Sequence, residues 1–68
     1  MIYIDKRGWL FAVMPGLGES NYKARYNKPE WPDEKWKCLT ALPWRKSEAE
    51  AEADLKAYAE KHGMTAIE

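Results

Sequence analysis

Residues 43–55 read PWRKSEAEAEADL, and this stretch separates a sheet-forming part of the chain from a helix-forming part. Ser47 followed by Glu50 is a capping box, in which the serine oxygen accepts a hydrogen bond from the amide of Glu50 and the glutamate side chain reaches back. A helix is therefore predicted over residues 47–62, with Gly63 as the left-handed residue that ends it. At helical spacing, one predicted packing stripe contains Ala51, Leu55, Tyr58, Ala59 and His62.

Strand patterns fill the chain before this boundary. Residues 15–20 predict a turn-rich connection, and residues 27–34 form a tip whose prolines no central strand would tolerate. The predicted strands are, in order, residues 2–4, 9–14, 21–26 and 35–42.

These elements predict a single α+β domain over residues 1–68. An antiparallel β-meander of three or four strands, within residues 1–45, packs on one C-terminal α-helix. The tail at 64–68 could add a short edge strand. A core this small and an edge strand without a neighbour are both compatible with a homodimer.

Charge divides the chain at the same boundary. Residues 1–46 carry nine Lys or Arg against five Asp or Glu, whereas residues 47–68 carry two against six, and the whole chain is neutral. The acids at the start of the helix are expected from its dipole alone. The positive part also holds all four tryptophans, and a basic surface with aromatic side chains is one way to bind nucleic acid.

The composition disfavours several functional classes. One cysteine, Cys38, and one histidine, His62, cannot build a structural zinc set, and no nucleophile, base and orienting group come together, so no enzyme and no cofactor are expected. Cys38 is read as a core thiol, and its being the single cysteine favours a reducing, cytoplasmic location. The longest apolar run, residues 9–14, is far below the roughly 20 residues of a membrane span, so no membrane partner is expected.

Alternating lysine and arginine on two predicted strands form the first candidate site. If the strand at 21–26 pairs antiparallel with the strand at 35–42, their cations can share one face and contact phosphates spaced along a nucleic acid. The alternative is a solvated sheet face. The predicted nucleic-acid-binding residues are Lys23, Arg25, Lys35 and Lys37.

Trp31 is the second candidate, since it lies in a loop between Pro29 and Pro32 where no periodic pattern requires burial. It either anchors a protein partner or folds over one end of the core. Trp9 and Trp44 are expected to pack in the core or at its rim. For a basic protein partner, the acidic helix offers Glu48, Glu50, Glu52 and Asp54.

Three features carry a resemblance to a known type of domain: Gly8-Trp9 opening a strand, the alternation of Lys23, Arg25 and Lys37, and the helix start at residues 47–50. In this layout the chain is similar to the arm-type DNA-binding domains of phage and transposon integrases and to the plant AP2 domain. The resemblance implies a three-stranded sheet in the major groove of DNA. In size and style the chain also resembles small proteins of phages and mobile elements, including inhibitors of host defence.

Two functions are therefore expected. The first is a small non-catalytic nucleic-acid-binding accessory protein that uses the basic sheet face. The alternative is a protein-binding module or inhibitor, for example of a host defence or nucleic-acid-handling complex, that uses Trp31, the acidic helix with Glu48 and Glu52, or both.

Overall fold

An antiparallel sheet and one helix make up the protein, as the computed structural model describes it for residues 2–16, 21–32 and 34–67. Within these residues the sheet has five strands in the order β4-β3-β2-β1-β5, so the α+β architecture is confirmed. The elements are β1 (Ile2–Ile4), β2 (Leu10–Pro15), β3 (Tyr22–Asn27), β4 (Lys37–Cys38), α1 (Glu48–Lys61) and β5 (Thr65–Ala66).

Strands β1 to β4 form the predicted meander, and the C-terminal tail supplies a fifth strand. Strand β5 pairs antiparallel with β1 at the sheet edge, which places Ala66 opposite Tyr3. The turn predicted over residues 15–20 lies partly outside the described residues, since the description stops at Gly16 and resumes at Asn21.

The core lies between the helix and one face of the sheet. Alternation along β2 and β3 directs Phe11 and Ala24 to this face, where they meet Leu55 of the helix. Leu55 is completely buried, and Ala24 is 1% exposed. The small helix residues Ala51 and Ala59 are also buried, as the predicted stripe requires, while Tyr58 is half-buried and His62 is exposed.

Both ends of the helix are closed by the predicted local motifs. The amide of Glu50 donates to Ser47 Oγ at 3.2 Å, and the Ser47 hydroxyl donates to Glu50 Oε1 at 3.1 Å. At the other end Gly63 has a φ of 67°, and the amide of Met64 donates to the carbonyl of Ala59 at 2.8 Å. This is the Schellman closure, which leaves the chain free to turn into β5.

The fourth strand is shorter than the predicted 35–42. Pairing ends at Cys38, and a turn follows in which the amide of Leu42 donates to the carbonyl of Leu39 at 3.2 Å. Both leucines pack against the core. In a straight strand, residues three apart would lie on opposite faces, so the turn is what allows both to be buried. The chain then rejoins the sheet at Arg45, which bridges to Tyr22.

Among the described residues, no helix combines the length and the apolar character needed to cross a membrane.

Candidate nucleic-acid interface

The sheet register separates the four basic residues predicted to share one face. Lys37 lies opposite Tyr26, while Cys38 lies opposite Arg25. Tyr26 packs against the core, so Lys37 is on the helix side of the sheet. Lys23 and Arg25 alternate with Tyr26 and therefore lie on the side turned away from the helix, which we call the far face. The prediction of one shared basic face is wrong, because a shift of one residue in register exchanges the faces.

Three aromatic rings meet at the edge of the core on the helix side of the sheet. The rings of Trp9 and Tyr26 stack with centroids 5.7 Å apart and planes 14° apart. Trp31 continues the row, with its centroid 5.7 Å from that of Tyr26 at an angle of 37°. All three side chains are half-buried. We call Trp9, Tyr26 and Trp31 the aromatic platform.

Four cations surround this platform. The Arg7 guanidinium carbon lies 3.5 Å from the Trp9 ring centroid, and Lys28 Nζ lies 4.7 Å from Trp9 and 5.2 Å from Trp31. Lys35 Nζ lies 5.2 Å and Lys37 Nζ 5.3 Å from the centroid of the Trp31 ring, and both residues were predicted as nucleic-acid contacts. We call this set the basic rim: Arg7, Lys28, Lys35 and Lys37.

The turn between β1 and β2 holds Arg7 over Trp9. Asp5 Oδ1 accepts hydrogen bonds from the amides of Arg7 at 2.9 Å and Trp9 at 3.0 Å, and Asp5 Oδ2 pairs with the Arg7 guanidinium at 2.7 Å. Partial burial alone would raise the pKa of Asp5, but these hydrogen bonds and the Arg7 charge together hold that pKa below its usual range. Gly8, at a φ of 86°, completes the turn. Arg7 is thereby fixed at the ring by a carboxylate that stays ionised.

A buried asparagine holds the loop that carries Trp31. Asn27 is 6% exposed, and its Nδ2 donates to the carbonyls of Pro32 at 3.0 Å and Lys35 at 2.7 Å. The amide of Trp31 donates to the carbonyl of Lys28 at 3.0 Å, which closes a turn inside the loop. Sequence reasoning did not single out Asn27. An asparagine that ends a strand just before a proline-rich tip was the available signal.

The two loops are also neighbours. A Cβ atom added at Gly8 would lie 3.3 Å from Pro29 Cγ, so the β1–β2 turn and the Trp31 loop lie close together with no room for a side chain between them. This proximity brings Arg7 and Lys28, which are distant in sequence, to the same Trp9 ring. Glu30 and Glu34 of the Trp31 loop are exposed, so positive charge is concentrated at the rings more than along the loop.

Trp31 therefore combines features of both alternatives weighed for it. Its ring contacts Tyr26 at the end of the core, yet the side chain keeps partial exposure. Trp9 packs against the core cluster as expected, whereas Trp44 is 47% exposed and packs on Gly16.

The far face presents its cations differently. Lys23 Nζ lies 5.5 Å from the centroid of the Trp44 ring. Arg25 is half-buried, and its Nε is buried and without a hydrogen-bond partner within the described part of the chain. Trp44 is closely packed on the backbone of Gly16, where an added Cβ would come within 2.6 Å of Trp44 Cη2.

Some acidic side chains of the helix are already paired with other groups of the chain. Asp54 accepts hydrogen bonds from Arg45 at 2.7 and 3.2 Å, and this contact raises the pKa of Arg45. Glu50 belongs to the helix cap. Glu48 is exposed and Glu52 is half-buried.

The residues considered for other chemistry lie apart from one another. Cys38 is half-buried on β4. His62 is exposed at the end of the helix, and its ring centroid lies 4.2 Å from that of Tyr58. In the described ranges, no group of three or more His, Cys, Asp or Glu side chains is placed to hold a metal ion.

Comparison of the chain with protein-family models, curated protein sequences and solved structures finds no match in any of the three. The resemblance to integrase arm-type domains therefore stays a prediction, and function has to be argued from the geometry of the site.

Proposed function

We propose that this protein is a non-catalytic nucleic-acid-binding accessory protein and that it binds single-stranded nucleic acid on the aromatic platform. The observation that carries the proposal is the convergence of three aromatic rings and four cations at one end of the sheet. Proteins that bind single strands combine these two elements: rings on which bases stack and cations that follow the phosphates.

The energetics favour exchange of the rim cations for bases. A cation over an exposed ring is worth about 0.5–1 kcal/mol, whereas a base stacked on an aromatic side chain is worth about 1–3 kcal/mol. A base can therefore displace Lys35 or Lys37 from the Trp31 ring. The displaced amine, still tethered beside the ring, then becomes available to a phosphate.

A single strand fits this site better than a duplex does. Bases within a duplex present only their edges, and their flat faces are covered by neighbouring base pairs. The platform offers ring faces, which require bases that are already unstacked or can leave the stack. Because the net charge of the chain is zero, the attraction is local to the basic rim, and binding should be modest in strength and sensitive to salt.

Titration of the protein with a short oligothymidylate, followed by tryptophan fluorescence, tests the proposal. We expect the oligonucleotide to quench tryptophan fluorescence. A plot of the logarithm of affinity against the logarithm of salt concentration should have a slope of about −3 if the protein contacts four phosphates of a single strand. A duplex of the same length should bind more weakly. No binding at low salt would overturn the proposal.

Charge-reversed pairs on the two faces provide a matched comparison. Lys35→Glu with Lys37→Glu should abolish measurable binding, whereas Lys23→Glu with Arg25→Glu on the far face should leave it unchanged. Circular dichroism establishes that both variants are folded. The opposite result would favour the far face, as expected from the resemblance to sheets that enter the major groove.

An acidic peptide serves as the control for the predicted protein-binding alternative. Polyglutamate offers the basic rim negative charge without stacking bases, so it should bind much more weakly than the oligonucleotide at equal charge. Equal affinity of the two would mean that the site recognises polyanions in general, and it would favour a protein partner.

A further inference from the structure

Two open cavities lie beside the aromatic platform, between the sheet and the C-terminal end of the helix. The first has a volume of about 260 Å³ and is lined by Trp9, Tyr26 and Tyr58 among others; we call it the aromatic cavity. The second has a volume of about 290 Å³ and is lined by Lys6, Arg7 and His62 among others; we call it the basic cavity.

The two cavities are neighbours because they share three lining residues, Arg7, Phe11 and Tyr58. Phe11 lies 6.4 Å from Tyr26 and 6.3 Å from Tyr58, measured between ring centroids. The row of rings that starts at Trp31 therefore continues past Tyr26 into the aromatic cavity and reaches Tyr58.

The aromatic cavity is suited to one flat heterocycle. Its volume lies below the roughly 300–1,000 Å³ typical of pockets for drug-sized ligands, so it fits a fragment such as a single nucleobase. Thr40 and Arg7 supply polar groups in its lining.

The basic cavity is suited to a phosphate. Lys6 and Arg7 are exposed cations, and His62 adds an imidazole. Asp5 also lines this cavity, but its carboxylate is already paired with the Arg7 guanidinium and with two backbone amides. A terminal phosphate monoester carries a charge of about −1.5 to −2 at neutral pH, more than the single charge of an internal diester, and a cavity with several basic groups favours it.

We propose that these cavities together hold the phosphate-bearing terminal nucleotide of the bound strand, with its base in the aromatic cavity and its terminal phosphate in the basic cavity. This inference rests on the proposed function, since the remainder of the strand lies on the platform. It assigns a role to Lys6 and His62, which belong to neither the platform nor the basic rim.

Three oligonucleotides of one sequence test the inference: one with a 5′-phosphate, one with a 3′-phosphate and one with neither. We expect one phosphorylated end to raise the affinity about tenfold over the unmodified strand, as a charge-assisted phosphate contact would. Which end does so gives the polarity of the strand on the platform.

Substitutions in the basic cavity complete the test. Lys6→Ala and His62→Gln should each reduce the preference for the phosphorylated end and leave the affinity for the unmodified strand unchanged. Neither change removes a buried group, since both side chains are exposed. A preference that survives both substitutions at full size would overturn the inference.

The outcomes separate this inference from the proposed function. If the three oligonucleotides bind equally, the terminal site is refuted and the platform stands. If none of them binds at low salt, both proposals are refuted.

Discussion

The helix side and the far face of this sheet both carry cations and tryptophan, yet the two regions differ in how these groups are arranged. On the helix side, two loops and the end of β3 bring three rings and four cations together. On the far face, Lys23 meets the Trp44 ring, which packs on a glycine. Similar residue types therefore give a contiguous row of rings with cations around it in one region, whereas in the other Lys23 lies over the Trp44 ring.

The difference arises from what positions each ring. Trp31 is held by a loop that a buried asparagine fastens to the sheet, and its neighbours Tyr26 and Trp9 follow from strand alternation. Trp44 follows the turn after β4, with 47% of its surface exposed. Four predictions test this contrast between the two regions.

Removal of the loop anchor should have the largest effect. Asn27→Ala deletes both hydrogen bonds to the loop carbonyls, so we expect a loss of about 2 kcal/mol in the free energy of unfolding. Because the Trp31 loop loses its anchor, oligonucleotide affinity should fall as well. Urea denaturation and fluorescence titration measure the two effects.

Lys23→Ala, on the same strand and on the far face, is the control for this experiment and should change neither quantity appreciably. If Asn27→Ala lowered stability but left binding intact, the platform would not depend on the loop as the structure indicates.

Truncation of the two tryptophans should come next. Trp31→Ala removes one stacking surface and should weaken oligonucleotide binding by about 1–3 kcal/mol, or roughly five- to 150-fold. Trp44→Ala removes the same side chain from the far face and should leave binding unchanged. Equal losses in the two variants would remove the distinction between the two regions.

The Asp5 turn should show a smaller, pH-dependent effect. Asp5→Asn keeps an oxygen that can accept from the two amides but loses the ion pair with Arg7, and we expect a loss of about 1 kcal/mol in stability at neutral pH. The folded-state pKa of Asp5 is lowered, so its ionic contribution is fully present above the ordinary aspartate pKa of about 3.9. It is lost as the pH falls through the lower folded-state pKa.

Denaturation curves of Asp5→Asn and the native chain should therefore converge in acid. A difference in stability that does not shrink as the pH falls below the ordinary aspartate pKa would show that the charge of Asp5 is not what stabilises the turn.

Single charge removal in the basic rim should have the smallest effect. Lys37→Ala removes about one phosphate contact and should reduce the slope of the salt dependence by about 0.7 on a single strand. The same measurement on Lys23→Ala should give the slope of the native chain. A reduced slope for Lys23→Ala would place phosphate contacts on the far face as well.

Local motifs explain why much of the fold was predictable. The capping box at Ser47 and the left-handed Gly63 involve interactions within a few residues, so both helix ends could be predicted from the local sequence. Alternation along β3 is also local, but which of its two faces packs on the core, where Ala24 is buried, depended on the tertiary structure.

The candidate site was only partly predictable, because its residues come from separate segments. Trp31, Lys35 and Lys37 were each identified as candidates, but Lys35 and Lys37 were assigned to the wrong neighbours. Pairing between β3 and β4 depends on how many residues the intervening loop takes up, and a shift of one residue moves a side chain to the other face. Arg7, Lys28 and Asn27 join the site only through contacts between loops.

The helix with both its ends, the meander of strands, and the concentration of positive charge and tryptophan before residue 47 can all be read from the sequence. The helix and the strands follow from patterns of residues close in the chain. Which cations meet which rings depends on the tertiary fold. Strand register and loop packing are set by contacts between distant residues, so the aromatic platform with its basic rim became visible only in the folded protein.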